Sequence, residues 1–167
     1  VAAEVHIAYE AGAFPGAPMP SGVRCALGPY DVPNQLVEGY EVVVNKPKTA
    51  AYRAPGAPQS GFAVESVLDE LAEQLDIDPI ELRQKNAATE GTMLTDGSLH
   101  GPIGNLEVIK AAEESPHYRS ELQGKNQGRG MALGFWFNGG NESSAYANVD
   151  ADGTVSLVVG SVDIGGQ

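Results

Sequence analysis

The residues best suited to hold a ligand lie in a glycine- and proline-rich stretch at 51–61, directly before the strongest helical pattern of the chain. This stretch reads Ala-Tyr-Arg-Ala-Pro-Gly-Ala-Pro-Gln-Ser-Gly. Small residues let a ligand approach the backbone, and the free N–H groups at a helix N-terminus favour anions. A plain connection in which Pro58 begins the helix would explain the same residues. The stretch is neither a Walker loop nor a dinucleotide fingerprint, because it lacks the Gly-Lys-Ser/Thr and Gly-x-Gly-x-x-Gly spacings.

A second glycine-rich stretch, at 160–167, reads Gly-Ser-Val-Asp-Ile-Gly-Gly-Gln and follows a valine-rich segment. Its paired glycines permit positive φ and a close approach to the backbone, and Gln167 offers amide donors and acceptors. The same residues are also typical of a turn into the next element. Binding loop and turn both stay open here.

Three consecutive aromatic residues, Phe135, Trp136 and Phe137, form a third candidate site. Successive side chains of a strand point to opposite faces, so at least one of the three is expected to leave the core. It would face either a pocket or a partner protein.

The remaining reactive side chains do not form a catalytic or metal-binding pattern. The three histidines, His6, His100 and His117, lack ligand spacing and are expected at the surface or in the core. Cys25, the one cysteine, is predicted to be a small buried residue, since no His or Asn partner can be assigned to it. No catalytic residue and no metal ligand is therefore predicted in this chain.

Composition argues against several partners. The chain has 22 acidic and 10 basic residues and a net charge of −12, which disfavours binding to nucleic acid or anionic membranes. No apolar run approaches the roughly 18 residues that span a bilayer, and the N-terminus does not resemble a signal peptide. We therefore expect a cytoplasmic location. The 167 residues suit a single domain over 1–167, with ends that look cut from a longer chain.

In the first half of the chain, patterning predicts short strands and one long helix. Strands are expected at 4–9 and 40–45, separated by a loop over 10–33 with a short helix near 23–27. The long helix follows Ser60. Its apolar positions recur at helical spacing: Val64, Val67, Leu68, Leu71, Ala72 and Leu75. Its acidic residues are expected on the solvent face: Glu65, Asp69, Glu70 and Glu73.

The second half should contain two further helices and then strands. Asp78 can cap a helix that begins at Pro79, and another helix is expected over about 106–112. Strands are predicted in the apolar run 131–137 and at 145–149 and 154–160, with Asp152-Gly153 as a hairpin turn. Strands, helices and then strands indicate an α+β fold with a mixed or mainly antiparallel sheet and packed helices.

Four segments carry a family resemblance: residues 49–59, 62–65, 75–86 and 152–166. Together they resemble the molybdenum-binding region of the xanthine dehydrogenase/aldehyde oxidase family, the molybdenum hydroxylases. The resemblance covers residues 30–90 and 129–167 well. It implies part of a molybdopterin-binding domain, in the large subunit of an oxidoreductase that hydroxylates an aldehyde or aromatic heterocycle with oxygen from water. The 2Fe-2S clusters and FAD would lie on other domains or subunits of the enzyme.

The resemblance also implies roles for particular residues. Those expected at the molybdenum cofactor (molybdopterin) are Arg53, Ala54, Gly56, Gln59, Gly165, Gly166 and Gln167. Those expected beside a small-molecule substrate are Pro55, Phe135 and Trp136. Pro55 replaces an aromatic residue of the xanthine-specific branch, which argues against a purine, and the loop has no thiol for the copper of the carbon monoxide branch. Gln167 is displaced by one position from the family's Gly-Gln-Gly pattern.

The resemblance places the general-base glutamate C-terminal to this region, so the isolated chain is expected to be inactive. Its expected partners are the rest of its own large subunit and the iron–sulfur and flavin domains or subunits, with no nucleic acid and no membrane. A second hypothesis is a non-catalytic acidic interaction module on the same scaffold, which binds a partner through Phe135–Phe137.

Overall fold

The structure, a computed structural model, describes residues 2–137 and 142–161. The described chain forms, in order, β1 (Ala2–Gly12), α1 (Met19–Ala26), β2 (Asn34–Val43), α2 (Ala57–Leu75), α3 (Pro79–Lys85), α4 (Asn105–Glu114), α5 (Pro116–Arg119), β3 (Ala145–Val149) and β4 (Val155–Val159). It divides into two compact units, Val1–Trp136 and Phe137–Gln167. The predicted α+β class is confirmed, with two separate two-stranded sheets rather than one larger sheet in the described chain.

In the first unit, β1 and β2 pair in parallel, with Val5 opposite Val37, and α1 connects them. Both predicted strands exist, but β2 begins at Asn34 rather than at residue 40. Its first residues are polar or only half-buried, so their pairing with β1, and not an apolar alternation, sets where the strand begins. The short helix expected near 23–27 is α1, which already begins at Met19.

Helix α2 occupies the predicted position, although it begins at Ala57 rather than after Ser60, and the predicted burial of its side chains is only partly correct. Asp69, Glu70 and Glu73 are exposed as predicted. Glu65 is 6% exposed, whereas Val67 and Leu75 of the expected apolar stripe are more than half exposed. The reason is a buried basic partner: Arg83 of α3 lies against this face and turns Glu65 inward. Ala72, seven residues after Glu65 on the same face, is buried as predicted.

Helix α3 begins as the sequence predicts. The Asp78 carboxylate accepts hydrogen bonds from the backbone N–H groups of Ile80 (2.8 Å) and Glu81 (3.3 Å), and Pro79 occupies the first turn. Ile80 then packs in a core cluster with Ala87 and Ile109. The cap therefore fixes the start of a helix whose buried residue Ile80 packs against Ile109 of α4.

Replacing Asp78 by alanine should lower the free energy of unfolding by about 1 kcal/mol, because two N–H groups of α3 lose their acceptor. Urea denaturation of the protein measures this change. Asp78→Asn keeps a side-chain oxygen and is the matched control, so equal losses in the two variants would contradict a capping role.

The apolar run 131–137 does not form the predicted strand, because none of its residues belongs to a strand or bridge of the described chain. Its burial still alternates: residues 131, 133 and 135 are half-buried, and 132, 134 and 136 are exposed. Met131 and Leu133 pack on the core cluster of Ile80, Ala87 and Ile109. Side-chain packing and a hydrogen bond from the N–H of Leu133, described below, help to hold this segment in place.

In the second unit, β3 and β4 form the predicted antiparallel hairpin, with Ala145 opposite Val159. Gly153 has a φ of 85° in the turn, and Asp152 accepts a hydrogen bond from the N–H of Thr154 (2.9 Å). These are the turn residues that the sequence indicated. Across the described residues of both units, no helix combines the length and the apolar character needed to cross a membrane.

Candidate functional site

The loop before α2 has an unusual backbone. Arg53, Ala54 and Gly56 have positive φ values of 30°, 55° and 90°. In the described chain, Asp76 at the end of α2 is the only other non-glycine residue with positive φ. Such a conformation costs about 1–3 kcal/mol at each non-glycine residue, so the surrounding structure must impose it.

Three N–H groups of this loop have no acceptor in the described chain, and two of them belong to exposed or half-buried residues, Arg53 and Ala54. Those of Arg53, Ala54 and Gly56 donate no hydrogen bond to any residue that the structure describes. Successive N–H groups in turns that mix positive and negative φ form a concave site for anions. The loop also leads into the N-terminus of α2, which favours negative charge. Anion binding, one of the two interpretations of this stretch, therefore has a structural basis.

Contacts on the other side of Gly56 hold the loop. Its carbonyl oxygen accepts hydrogen bonds from the Tyr9 hydroxyl (2.7 Å) and the Ser60 hydroxyl (3.2 Å). A Cβ atom at Gly56 would lie 2.2 Å from the carbonyl oxygen of Pro18. Burial raises the pKa of Tyr9, so its hydroxyl stays a donor at neutral pH. Strand β1 and the start of α1 thus fix the loop.

Replacing Tyr9 by phenylalanine should lower the free energy of unfolding by about 1 kcal/mol, since the buried Gly56 carbonyl loses a donor while the ring packing is kept. Thermal or urea unfolding measures the change. Tyr40→Phe is the matched control, because the Tyr40 hydroxyl is exposed and contacts Glu38 at 3.4 Å. An equal effect of both variants would contradict the role of Tyr9.

A cavity of about 730 Å³ lies beside this loop, within the first unit. Its lining includes Ala54, the first turns of α2 and residues 130–136. The lining is mainly apolar and includes Phe62, Phe135 and Trp136. Trp136 is 44% exposed and Phe135 is half-buried, as expected for aromatic side chains that alternate between two faces. The cavity suits a small, largely apolar molecule.

Phe135 also borders a smaller cavity of about 370 Å³, which His100 and Asn105 line as well. The His100 ring meets the Phe135 ring edge-on, with centroids 5.3 Å apart. Its Nε2 lies 2.9 Å from the carbonyl oxygen of Gly28, and a side chain at Gly28 would overlap the Phe135 ring. The structure places His100 in the core, one of the two positions expected for the histidines.

A buried ionic network borders the larger cavity. Oε2 of Glu65 accepts hydrogen bonds from Nε of Arg83 (2.9 Å) and from the N–H of Leu133 (3.0 Å), and Oε1 accepts one from the Tyr30 hydroxyl. Nη2 of Arg83 also contacts Asp69 at 2.8 Å. Burial and the hydrogen bond to Glu65 raise the pKa of Tyr30, which therefore remains protonated. Burial acts to lower the pKa of Arg83, but its bonds to Asp69 and Glu65 outweigh this and raise it.

The structure brings only some of the predicted site residues together. Ala54, Phe135 and Trp136 line the same cavity, while Arg53 and Gly56 belong to the adjoining loop. Pro55 is half-buried in that loop but does not line the cavity, and Gln59 is exposed on the first turn of α2. Three predicted residues lie outside the described chain: Gly165, Gly166 and Gln167.

Sequence reasoning missed the buried network of Glu65, Arg83 and Tyr30. A signal for Glu65 exists, because its distance of seven residues from Ala72 puts both on one face of α2. Buried Cys25, by contrast, is placed as predicted, and it lines the larger cavity.

Comparison with known proteins decides the family. Residues 1–87, more than half of the chain, match the model of the molybdopterin cofactor-binding domain. The chain belongs to this family. The aldehyde oxidoreductase of Megalodesulfovibrio gigas is 37% identical over 138 residues, which is 77% of this chain and 15% of that protein. The large molybdopterin subunit of nicotinate dehydrogenase from Eubacterium barkeri is 38% identical over 93 residues, 55% of this chain and 22% of that subunit.

Solved structures agree with the family assignment. The aldehyde oxidoreductase of Desulfovibrio desulfuricans superposes with a TM-score of 0.70 at 27% identity, over 90% of this chain and 18% of that one. This molybdopterin-binding chain thus spans about a fifth or less of the length of these relatives. The hypothesis of a non-catalytic interaction module is not supported. Phe135 and Trp136 line a cavity with the loop that matches the family.

The residues present fit the molybdenum cofactor of the family. The N–H groups of Arg53 and Ala54, which have no acceptor in the described chain, can donate hydrogen bonds to anionic oxygen or sulfur, and the positive φ of Gly56 sets the turn that presents them. Across the described ranges, no three His, Cys, Asp or Glu side chains are grouped as ligands of a metal ion. Backbone donors, rather than side-chain metal ligands, are therefore what this part of the molybdopterin-binding domain offers.

Proposed function

We propose that this chain forms part of the cofactor- and substrate-binding region of an oxidoreductase that hydroxylates an aldehyde or aromatic heterocycle with oxygen from water. The observation that carries the proposal is the loop of Arg53, Ala54 and Gly56, where Arg53 and Ala54 have N–H groups without an acceptor in the described chain and Ala54 lines an apolar cavity. The names of the relatives, which include aldehyde oxidoreductase and nicotinate dehydrogenase, support the reaction class.

Each part of the site has a role in this proposal. When bound, the molybdenum cofactor supplies the redox and oxygen-transfer chemistry. The N–H groups of Arg53 and Ala54 hold the cofactor, with Gln59, Gly165, Gly166 and Gln167 as further proposed contacts. Phe135 and Trp136 flank the substrate and exclude water from it. Pro55, in the adjoining loop, is a further proposed substrate contact.

In this proposal, no residue of this chain acts as the general base or as an electron acceptor. We assign no catalytic proton transfer to Glu65, because Tyr30, Arg83 and Leu133 engage its carboxylate. The general base, the 2Fe-2S clusters and FAD are proposed to lie in the rest of the large subunit and in the iron–sulfur and flavin domains or subunits. The 167-residue chain alone should therefore be inactive.

Isotope transfer from water tests this function in the full-length protein that contains the chain. The protein should oxidise benzaldehyde or nicotinate with an artificial electron acceptor, and oxygen from heavy-oxygen water should appear in the product. Mass spectrometry of the product measures the label. Oxidation that leaves the label out of the product would contradict the proposed reaction, and so would a cofactor-loaded protein that oxidises neither compound.

A further inference from the structure

The buried carboxylate of Glu65 connects four parts of the first unit. Its own helix α2, Arg83 of α3, Tyr30 and the N–H of Leu133 meet at this one group. Along the chain, Arg83 lies 18 residues, Tyr30 lies 35 residues and Leu133 lies 68 residues from Glu65. Both carboxylate oxygens are therefore engaged at a point where distant segments converge.

Stability alone does not explain this arrangement. The Arg83 side chain is fully buried and that of Glu65 is 8% exposed, so both charges lose most of their hydration. Well-packed apolar residues of similar size often stabilise a protein as much as such a buried ion pair does. A buried ionic group is retained in some proteins because its directional bonds select one arrangement of the chain.

Here the directional bond reaches the segment that carries the aromatic side chains. The N–H of Leu133 donates to Oε2 of Glu65, and Phe135 follows two residues later on the same half-buried side. Residues 131–135 belong to no strand or bridge of the described chain, and this bond ties their register directly to α2. A slip of one residue would exchange Phe135 and Trp136 between the two faces.

We infer that Glu65 is a positioning residue: through the N–H of Leu133 it fixes Phe135 and Trp136 in the wall of the cavity that Ala54 also lines, and so determines which substrates the cavity accepts. The part that concerns substrates rests on the proposed function. The part that concerns position does not, since it follows from the contacts of Glu65 alone. Glu65 also lines the cavity, so replacing it would change the cavity wall directly.

The test compares three variants of the full-length enzyme. The triple variant Tyr30→Phe, Glu65→Met and Arg83→Met replaces the network by apolar groups of similar size and leaves the N–H of Leu133 without an acceptor. Glu65→Gln keeps an oxygen for Arg83 and Leu133, and its amide can donate to the Tyr30 oxygen. In this variant Phe135 and Trp136 should therefore keep their wild-type positions. Tyr30→Phe alone is the matched control, because it removes one arm of the network but not the bond to Leu133.

Hydrogen–deuterium exchange tests the positioning without any substrate. In the triple variant, exchange in a peptide that covers 130–137 should be at least about ten-fold faster, because a buried N–H has lost its acceptor. Glu65→Gln and Tyr30→Phe should stay close to the wild type, and so should a peptide that covers α4 in all variants. Unchanged exchange in the triple variant, or equal acceleration throughout the first unit, would overturn the positioning role.

Kinetics tests the effect on substrates. In the triple variant, KM for benzaldehyde should rise roughly five- to ten-fold relative to KM for acetaldehyde, since an aromatic substrate depends most on a well-placed aromatic wall. Both kcat values and the molybdenum content should change little, and Glu65→Gln should recover the wild-type KM ratio. An unchanged ratio in a molybdenum-loaded enzyme with accelerated exchange would overturn the specificity role. Molybdenum-loaded wild-type enzyme that oxidises neither aldehyde would also overturn the specificity role. The hydrogen–deuterium exchange result would still decide whether Glu65 positions residues 130–137.

Discussion

Replacing Gly56 by alanine in the full-length protein is expected to lower the molybdenum content of the purified enzyme by about ten-fold or more. Two costs combine at this position. Alanine is strained at a φ of 90°, and its Cβ would lie 2.2 Å from the carbonyl oxygen of Pro18. The loop must move away from α1 to relieve that contact, which displaces the N–H groups of Arg53 and Ala54. Elemental analysis of protein purified under identical conditions measures the loss.

Two other glycines supply matched controls for this variant. Gly61 lies inside α2, and Gly97 has a φ of 81°; at both positions, an added Cβ meets no described atom within 4 Å other than the adjacent residues and, at Gly61, the nearby backbone of α2. Gly61→Ala tests the effect of an added methyl group, and Gly97→Ala tests backbone strain away from the loop. Both should retain wild-type molybdenum. A Gly56→Ala protein that also retains it would contradict the role of the loop.

Replacing Arg83 by methionine should lower the free energy of unfolding by about 3–5 kcal/mol, because it leaves the Glu65 carboxylate buried without its cation. The guanidinium is fully buried, and Asp69, its other partner, is half exposed and can turn to water. Urea denaturation, followed by circular dichroism, measures the change. Methionine keeps much of the apolar length of arginine, so the loss reports the missing charge and hydrogen bonds more than missing volume.

The same helix supplies the control for Arg83. Lys85 pairs with Glu81 at 2.7 Å, and both side chains are more than half exposed. Lys85→Met should therefore change the free energy of unfolding by no more than about 0.5 kcal/mol. Adding Glu65→Met to Arg83→Met should recover most of the stability, because the double variant leaves no uncompensated charge. A double variant as unstable as the single one would show that the ion pair itself was not the cause.

Features set by neighbouring residues could be predicted from the sequence. The cap of Asp78 involves N–H groups two and three residues away, and the turn at Asp152-Gly153 depends on adjacent residues. Local chemistry is sufficient in both cases, and both predictions are confirmed. The helical period likewise located α2 correctly.

Features set by distant residues could not be predicted in the same way. The burial of Glu65 depends on Arg83, 18 residues later, and on Tyr30, 35 residues earlier, so its acidic character alone indicated the solvent face. The extent of β2 depends on its pairing with β1. The segment 131–137 has the apolar character of a strand, but it belongs to no strand of the described chain. The N–H of Leu133 instead donates a hydrogen bond to the side chain of Glu65.

The candidate site combines both kinds of information. The residue types at 53–56 indicated a loop that a ligand could approach, and the structure adds the positive φ values and the open N–H groups. That Ala54 lines the same cavity as Phe135, 81 positions later, follows from tertiary packing. Chain periodicity carries no information about such a pairing.

The molybdenum and pterin content of the full-length protein tests the central claim most directly. Protein purified from cells supplied with molybdate should contain molybdenum in stoichiometric amount, and acid oxidation should release an equal amount of a fluorescent pterin. Folded, active protein that contains neither would contradict the claim that the loop of Arg53, Ala54 and Gly56 holds the molybdenum cofactor.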